Sequence, residues 1–386
     1  MFKSPLPQQD QIITFRQELH QFPEISGKEY ATAKRVEVFL RQYEPDTILT
    51  GVGGTGVLAI FNGILPDEGP TVLFRAELDA LPIEDVNQLS YRSENSGVGH
   101  KCGHDGHMAI LGGLASLLQA EKPERGRVLL LFQPAEETGA GARAVLQELR
   151  FQEMNPDYVF ALHNLPGIPH HQVVIRKDVF SAASSGMILE LYGKSSHAAE
   201  PENGLNPGLA VAEIIQSFNQ LTQQEENFQN LTLLTIIHAQ LGEVAFGTNP
   251  GFATVMATLR AFQPLDFDKL KELATEKAAI IAAKHNLKLK IEFTETFPAT
   301  VNDTEAVNIV AKAANELSLP VSEAEVPFRW SEDFGHFTKN YKGALFGLGS
   351  GLDQPQLHHT DYDFPDVLIP SGARLFHQIT KLILTK

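Results

Sequence analysis

The sequence predicts an α/β protein in which a domain with a mixed, largely parallel sheet flanked by helices is interrupted by an inserted ferredoxin-like α+β domain. Three observations predict it. Before Ser181, short apolar runs alternate with amphipathic helical stretches, as expected of strands covered on both faces. From Ser181 the pattern shifts to half-buried alternation in the order β-α-β-β-α-β, the split unit of a ferredoxin-like domain. After Ala299 the first pattern returns. The boundaries are 1–181 and 296–386 for the first domain and 182–295 for the insertion. A chain of 386 residues has room for about two domains and a sizeable core.

Each element has a local reason. Ser26, Gly27, Lys28 and Glu29 have capping-box spacing and open a helix to about Tyr43. Gly51–Gly56 matches G-x-G-x-x-G, but a strand follows it and no helix, so it is a turn feeding strand Val57–Phe61 rather than a dinucleotide loop. Strand Val72–Phe74 comes next, then a helix over His107–Gln119 with Met108, Ile110, Leu111, Leu114, Leu117 and Leu118. Strand Arg127–Phe132, a helix near Gly141–Glu148 and strand Tyr158–Leu162 complete the first half. In the insertion, strands Met187–Tyr192, Leu231–Ala239, Ala253–Leu259 and Leu287–Phe293 enclose helices Pro207–Leu221 and Asp266–His285. Asp303 caps a helix through Leu317, strand Ala344–Leu348 follows, and a helix from Ser371 ends the chain.

Composition narrows the function. Asp and Glu number 47 against 31 Lys and Arg, a net charge of −16 that disfavours nucleic acid and anionic membranes as partners. One cysteine excludes an intrachain disulfide and points to a reducing compartment. The start of the chain has no apolar stretch of signal-peptide length, and no run approaches the roughly 18 apolar residues of a membrane span. The expected location is cytoplasmic.

The densest chemical signal is His100-Lys101-Cys102-Gly103-His104-Asp105-Gly106-His107, where the sole cysteine meets three histidines. Thiolate and neutral imidazole are good ligands for zinc and similar ions. The plainer reading is a helix N-terminus capped by Asp105 with incidental histidines. No C-x-x-C partner exists for a closed zinc knuckle. Glu136 and Glu137 directly follow strand Arg127–Phe132, where one carboxylate can bind metal while the other serves as general base. A solvated acidic turn is the bland alternative. Glu77 and Asp79, His163, and His358 with His359 also follow strands, and ligands in open α/β sheets bind beyond the strands' carboxyl ends. This convergence favours metal. His20, His170, His171, His238, His285, His336 and His377 have no clustered partner in sequence and are expected to be surface or core residues.

The segments RQELHQFPEIS, FRAELDALPIED, GHKCGHDGH, LFQPAEETGAGA, LHNLPG, GKSSHAAEPENGLNP, SEDF and LHHTDYDF occur in this order, nearly end to end. With them the chain resembles the amidohydrolase branch of the dinuclear zinc aminoacylase and glutamate carboxypeptidase family, which includes hippurate hydrolases, N-acetyldiaminopimelate deacetylases and auxin-conjugate hydrolases. The resemblance implies a metal-dependent amidohydrolase of N-acyl amino acids whose inserted domain is a lid and a homodimer interface. It implies two divalent ions, zinc by default with manganese, cobalt or nickel as substitutes. Cys102 would bridge them, with His104 and His163 on one ion and Glu137 and His358 on the other. Glu136 would be the general base, the Asp79 carboxylate would orient a histidine ligand, and His197 would reach the active site from the lid. Two positions depart from the branch: Glu77 stands where Asp is usual, and Gly247 where a lid Asn contacts substrate. That contact is then absent or supplied by Asn249. Two rivals stand beside this reading, a hydrolase with Cys102 as nucleophile and a metal-retaining protein that has lost catalysis.

Overall fold

The structure is a computed structural model and describes residues 5–223 and 228–385. Helices α1 (Gln9–Gln21) and α2 (Tyr30–Arg41) lead into β1 (Thr47–Val52), β2 (Gly56–Asn62) and β3 (Thr71–Glu77). Helix α3 (His104–Ala120), strand β4 (Arg127–Gln133), helices α4 (Gly141–Gln147) and α5 (Leu149–Gln152), and strands β5 (Tyr158–Pro166), β6 (Val173–Ile175) and β7 (Asp178–Ser181) follow. The chain then forms β8 (Ala183–Tyr192), β9 (Ser196–His197), α6 (Gly208–Leu221), β10 (Thr232–Leu241), β11 (Thr248–Asn249), β12 (Phe252–Ala261), α7 (Pro264–Lys284) and β13 (Lys288–Phe297). It closes with β14 (Thr300–Asn302), α8 (Thr304–Glu316), β15 (Val321–Glu323), α9 (Gly335–Thr338), β16 (Lys342–Gly351) and α10 (Ile369–Leu384).

Two compact units result. The first comprises residues 1–180, 300–327 and 333–386; the second comprises 181–299 and 328–332. An eight-stranded sheet in the order β1-β2-β4-β3-β5-β16-β6-β15 organises the first unit, and its centre, from β4 to β16, is parallel throughout. These central strands are buried on both faces, which is why they read as unbroken apolar runs. Phe74 of β3 packs on Phe160 of β5 and Phe376 of α10, with ring centroids 5.8 and 4.7 Å apart. Each such side chain contributes about 1.5–3 kcal/mol by leaving water. The second unit has the antiparallel order β10-β12-β8-β13 with α6 and α7, the predicted β-α-β-β-α-β connectivity.

Local expectations fail where tertiary partners outcompete local ones. The capping box does not form. Helix α2 starts at Tyr30 with no side-chain cap. Ser26 Oγ instead donates to Asp79, and the Glu29 carboxylate accepts from Gly27 N, Thr55 Oγ1 and Ala135 N. Asp105 is not a cap either, because α3 begins one turn earlier than predicted and Gly103 occupies the N-cap at φ 92°. A Cβ at Gly103 would sit 2.8 Å from Asn164 Oδ1, so glycine is required for both reasons. Asp303 does cap α8, accepting from Ala306 N at 3.0 Å. The turn at 51–56 feeds β2 as expected, and it joins that strand to β1 in a hairpin the sequence did not announce. Helix α1, strand β1 and the short strands β6, β7 and β15 are additions to the sequence reading.

Candidate metal centre

All of the candidate donors except His197 lie in the first unit, at the carboxyl ends of the parallel strands and the start of α3. Glu136 and Glu137 sit just past β4. Ala135, immediately before them, has φ 49°, a left-handed conformation that costs an ordinary residue on the order of 1–2 kcal/mol. Glu29 Oε1 holds this turn by accepting from Ala135 N at 2.8 Å. His358 has φ 66° and its N–H donates to Lys101 O at 2.7 Å, next to Cys102 in the chain. Strained backbone at both places is held by contacts far away in sequence.

The donor atoms form overlapping triads, each with its atoms within 4.8 Å of one another: Cys102, His104 and His163; Cys102, Glu137 and His358; His104, Glu136 and Glu137. Cys102 therefore belongs to two of them. Cys102 Sγ lies 3.4 Å from His163 Nε2. His104 Nε2 is 3.8 Å from Glu136 Oε2 and 3.9 Å from Glu137 Oε1, while His358 Nε2 is 3.9 Å from Glu137 Oε2.

Both buried imidazoles are oriented as a cation needs, with Nδ1 turned to a carbonyl. His104 Nδ1 donates to the carbonyl of Asp79 at 2.8 Å, and His163 Nδ1 to the carbonyl of Asn164 at 2.9 Å. With Nδ1 committed, Nε2 is the nitrogen left to bind a cation, on His104 by displacing its proton. His104 Nε2 is buried with no hydrogen-bond partner among the described residues. Burial alone would lower its pKa, but Glu77, Glu137 and Asp79 outweigh that and push it up to about 9. Burial, helped by the positive field of His107, pushes His163 down to about 3. An orphaned nitrogen in a negative field, beside a thiol and further carboxylates, fits divalent ions.

Asp79 acts through two groups. Its carbonyl, rather than the carboxylate expected from the sequence, accepts the His104 Nδ1–H, and its carboxylate accepts from Glu137 N at 2.9 Å and Ser26 Oγ at 2.7 Å. Glu77 pairs with Arg75 and accepts from His107 Nδ1 at 2.7 Å, and His107 Nε2 meets Asn164 Oδ1 at 2.6 Å. Glu77 therefore braces the start of α3, with its charge met by Arg75. Asp333 accepts from Arg75, Gln133 and Ala142 N, and its own N–H points at Glu136 Oε1 at 3.4 Å. Nothing in the sequence assigned a role to Arg75, Asn164 or Asp333, whereas His107 belongs to the His100–His107 cluster expected to bind metal and instead joins Glu77 to Asn164. The two-residue spacing of Arg75 and Glu77 on one strand face was the available signal.

In the second unit, His197 pairs with Thr248 in the β9–β11 ribbon and is exposed. Ala199 N donates to His197 Nδ1 at 3.1 Å, which places the neutral ring's proton on Nε2. Asn249, the residue expected to stand in for an asparagine at position 247, is half engaged on each side of its amide by neighbours in its own unit. Its amide meets Ser196 Oγ at 3.0 Å, Pro201 O at 3.5 Å and Asn206 Nδ2 at 2.7 Å. A Cβ at Gly247 would meet no atom within 4 Å, so that position is open.

His20 corrects a sequence expectation, since it is buried and clustered. Nδ1 meets Asp105 at 2.9 Å and Nε2 meets Asp85 at 3.1 Å. Burial disfavours its charge, yet the two carboxylates push its pKa up to about 9. A raised folded value means that its stabilisation is complete below an unfolded value of about 6.5 and is lost as pH rises through about 9. His104 follows the same course in the metal-free chain. In chelator, the gap in melting temperature between wild type and His20→Gln is therefore expected to narrow between pH 6 and 9.5. A gap that stays constant across this range would contradict the charged His20.

Residues 73–381 match the sequence pattern of Peptidase family M20/M25/M40. The N-acetyl-L-cysteine deacetylase of Bacillus subtilis (strain 168) is 30% identical over 375 residues, 97% of this chain and 88% of that protein. The hippurate hydrolase of Campylobacter jejuni is 30% identical over 378 residues, 96% of each. A solved Bacillus subtilis structure, a dinuclear metal binding peptidase from the M20 family, aligns over 97% of this chain and 98% of its own, with TM-score 0.81 and 26% identity. The matched stretch takes in Asp79, both Cys102 triads and the whole second unit. By fold, by sequence and by the residues gathered at the strand ends, the chain belongs to Peptidase family M20/M25/M40.

Proposed function

We propose that this protein hydrolyses the amide bond of N-acyl amino acids, releasing a carboxylate and a free amino acid, at a site that binds two divalent metal ions. One observation carries the reading: two donor triads share Cys102, and Glu136 lies beside them. The relatives named for N-acetyl-L-cysteine deacetylation and hippurate hydrolysis support the substrate class. The dinuclear metal binding relative supports the ion count. Among the described residues, no helix is long and apolar enough to cross a membrane.

Cys102, His104 and His163 would hold one ion, and Cys102, Glu137 and His358 the other. Thiolate, imidazole and carboxylate donors suit zinc, and manganese, cobalt or nickel can use the same set. Bound ions supply positive charge that polarises the acyl carbonyl and makes a water acidic enough to ionise near neutral pH. Glu136 takes the proton from the attacking water and passes it to the departing amine nitrogen as the C–N bond breaks. Asp79 keeps His104 in the Nδ1–H tautomer and aims Glu137 through its backbone N–H.

The Cys102–His163 contact also suits a thiol nucleophile with a histidine base. Chelation separates the readings. Hydrolysis of N-acetyl, N-benzoyl and indole-acetyl amino acids should vanish in chelator and return with added metal. Activity that survives verified metal removal supports the thiol enzyme, and no activity on the loaded protein supports a binder without catalysis.

His197 completes the proposal as an oxyanion donor through Nε2–H, in its own or the partner's site. The edge strand β10 supports a homodimer, since Ile237 and Leu241 are exposed on it and Val244 and Phe246 lie fully exposed just beyond. His197→Ala should lower kcat by roughly 10²–10³ with metal content unchanged. If the donor crosses the dimer, mixing His197→Ala with Glu136→Gln subunits restores activity, because each mixed dimer holds one complete site. An unchanged kcat removes His197 from the reaction.

A further inference from the structure

Helix α1 carries Arg16 and His20 one turn apart, and both side chains are fully buried. Together they face the segments on either side of the proposed metal ligands. His20 lies between Asp105, which follows His104, and Asp85. Asp85 in turn accepts from Lys101 Nζ at 2.6 Å, and Lys101 precedes Cys102. Lys101 Nζ also reaches Tyr362 O at 2.9 Å, and Lys101 O accepts the His358 N–H. Arg16 Nη1 spans Asp105 at 3.1 Å and Asp363 at 2.7 Å, and Tyr91 OH donates to the other Asp363 oxygen. His20, Asp105 and Asp363 place donor atoms within 4.8 Å of one another. That place is already filled by the Arg16 and His20 cations, so it is an ion-pair cluster and not another metal site.

A neutral imidazole has a single N–H, but both His20 nitrogens face carboxylates. Only the imidazolium satisfies both, and a neutral replacement leaves a buried carboxylate short of its cation. We propose that Arg16 and His20 are positioning residues for the metal centre. Through Asp105 and Asp85 they fix the segment that carries Cys102 and His104, and through Asp363 they fix the loop that carries His358. The inference rests on the metal reading above. It adds that α1, which supplies no donor, sets the affinity of the site.

The test measures Zn²⁺ affinity of the metal-free full-length protein by competition with a chromophoric chelator, alongside circular dichroism and melting temperature. His20→Gln should remain folded and bind Zn²⁺ about 10–100-fold more weakly, the range seen when outer partners of metal ligands are lost. Arg16→Lys keeps the charge but loses the guanidinium that reaches Asp105, Asp363 and Asp366 together, so it should weaken Zn²⁺ by a smaller factor and covers the case in which His20→Gln does not fold. A lower melting temperature with wild-type Zn²⁺ affinity in a folded variant would mean that the cluster serves stability alone, and overturns the inference. Wild type that binds no Zn²⁺ overturns the metal reading itself. Wild type that binds two ions, beside a Glu137→Gln control that loses one, keeps that reading whatever the α1 variants do.

Discussion

Glu136→Gln is expected to keep both metal ions and lose hydrolysis by a factor on the order of 10²–10⁴, the contribution of a general base. The substitution preserves size and the oxygen that faces Asp333 N–H, so the turn after β4 should hold its shape. What it removes is the ability to accept a proton from water and return it to the amine. The measurement pairs metal analysis by mass spectrometry with kcat on N-acetyl and N-benzoyl amino acids. Metal loss with residual activity would exchange the roles of Glu136 and Glu137.

Loss of the bridge should be larger for binding. Cys102→Ser replaces a thiolate shared by two triads with a neutral hydroxyl, so the occupancy of both ions should fall together. Cys102→Asp restores an anion and should recover part of it. Of the two triads that share Cys102, Glu137→Gln touches only the one with His358, and it should release about one ion of two, leaving the Cys102–His104–His163 side loaded. Full occupancy in Cys102→Ser would take the thiolate out of the site.

The parts legible in the sequence were those with strong periodicity or dense chemistry. The parallel strands β3, β4, β5 and β16 are apolar on both faces and announce themselves. The α3 motif and the Glu136–Glu137 pair stand out because such residues rarely cluster by accident. What stayed hidden were groups whose partners are distant in the chain. Ser26 and Glu29 have the spacing of a helix cap, yet they bond Asp79, Thr55 and Ala135, and no local rule reveals that. His20 looks solitary in sequence because Asp85 and Asp105 lie 65 and 85 residues away. Helix α1 has few apolar positions, and two of its buried residues are Arg16 and His20, so its inward face looks polar. Asn249 is a further case, since its amide meets Ser196 and Asn206, partners that its place beside Gly247 in the sequence does not announce.

The pairing of β5 with β16 has a consequence for how the protein is made. These strands are neighbours in the sheet, Tyr158 opposite Lys342, but the entire second unit is synthesised between them. A ribosome delivers the chain from its N-terminus, and units with local connectivity fold as they emerge. The β8–β13 unit can therefore close while β5 still shows an open, apolar edge. At that stage Cys102, His104 and His163 have all emerged, and His358 has not. On the proposed ligand assignment, the two ion sites mature in sequence, the first while translation continues and the second only after β16 has zipped onto β5. A truncated chain ending before β16 would hold at most the first, and hydrolysis would begin only with the finished polypeptide.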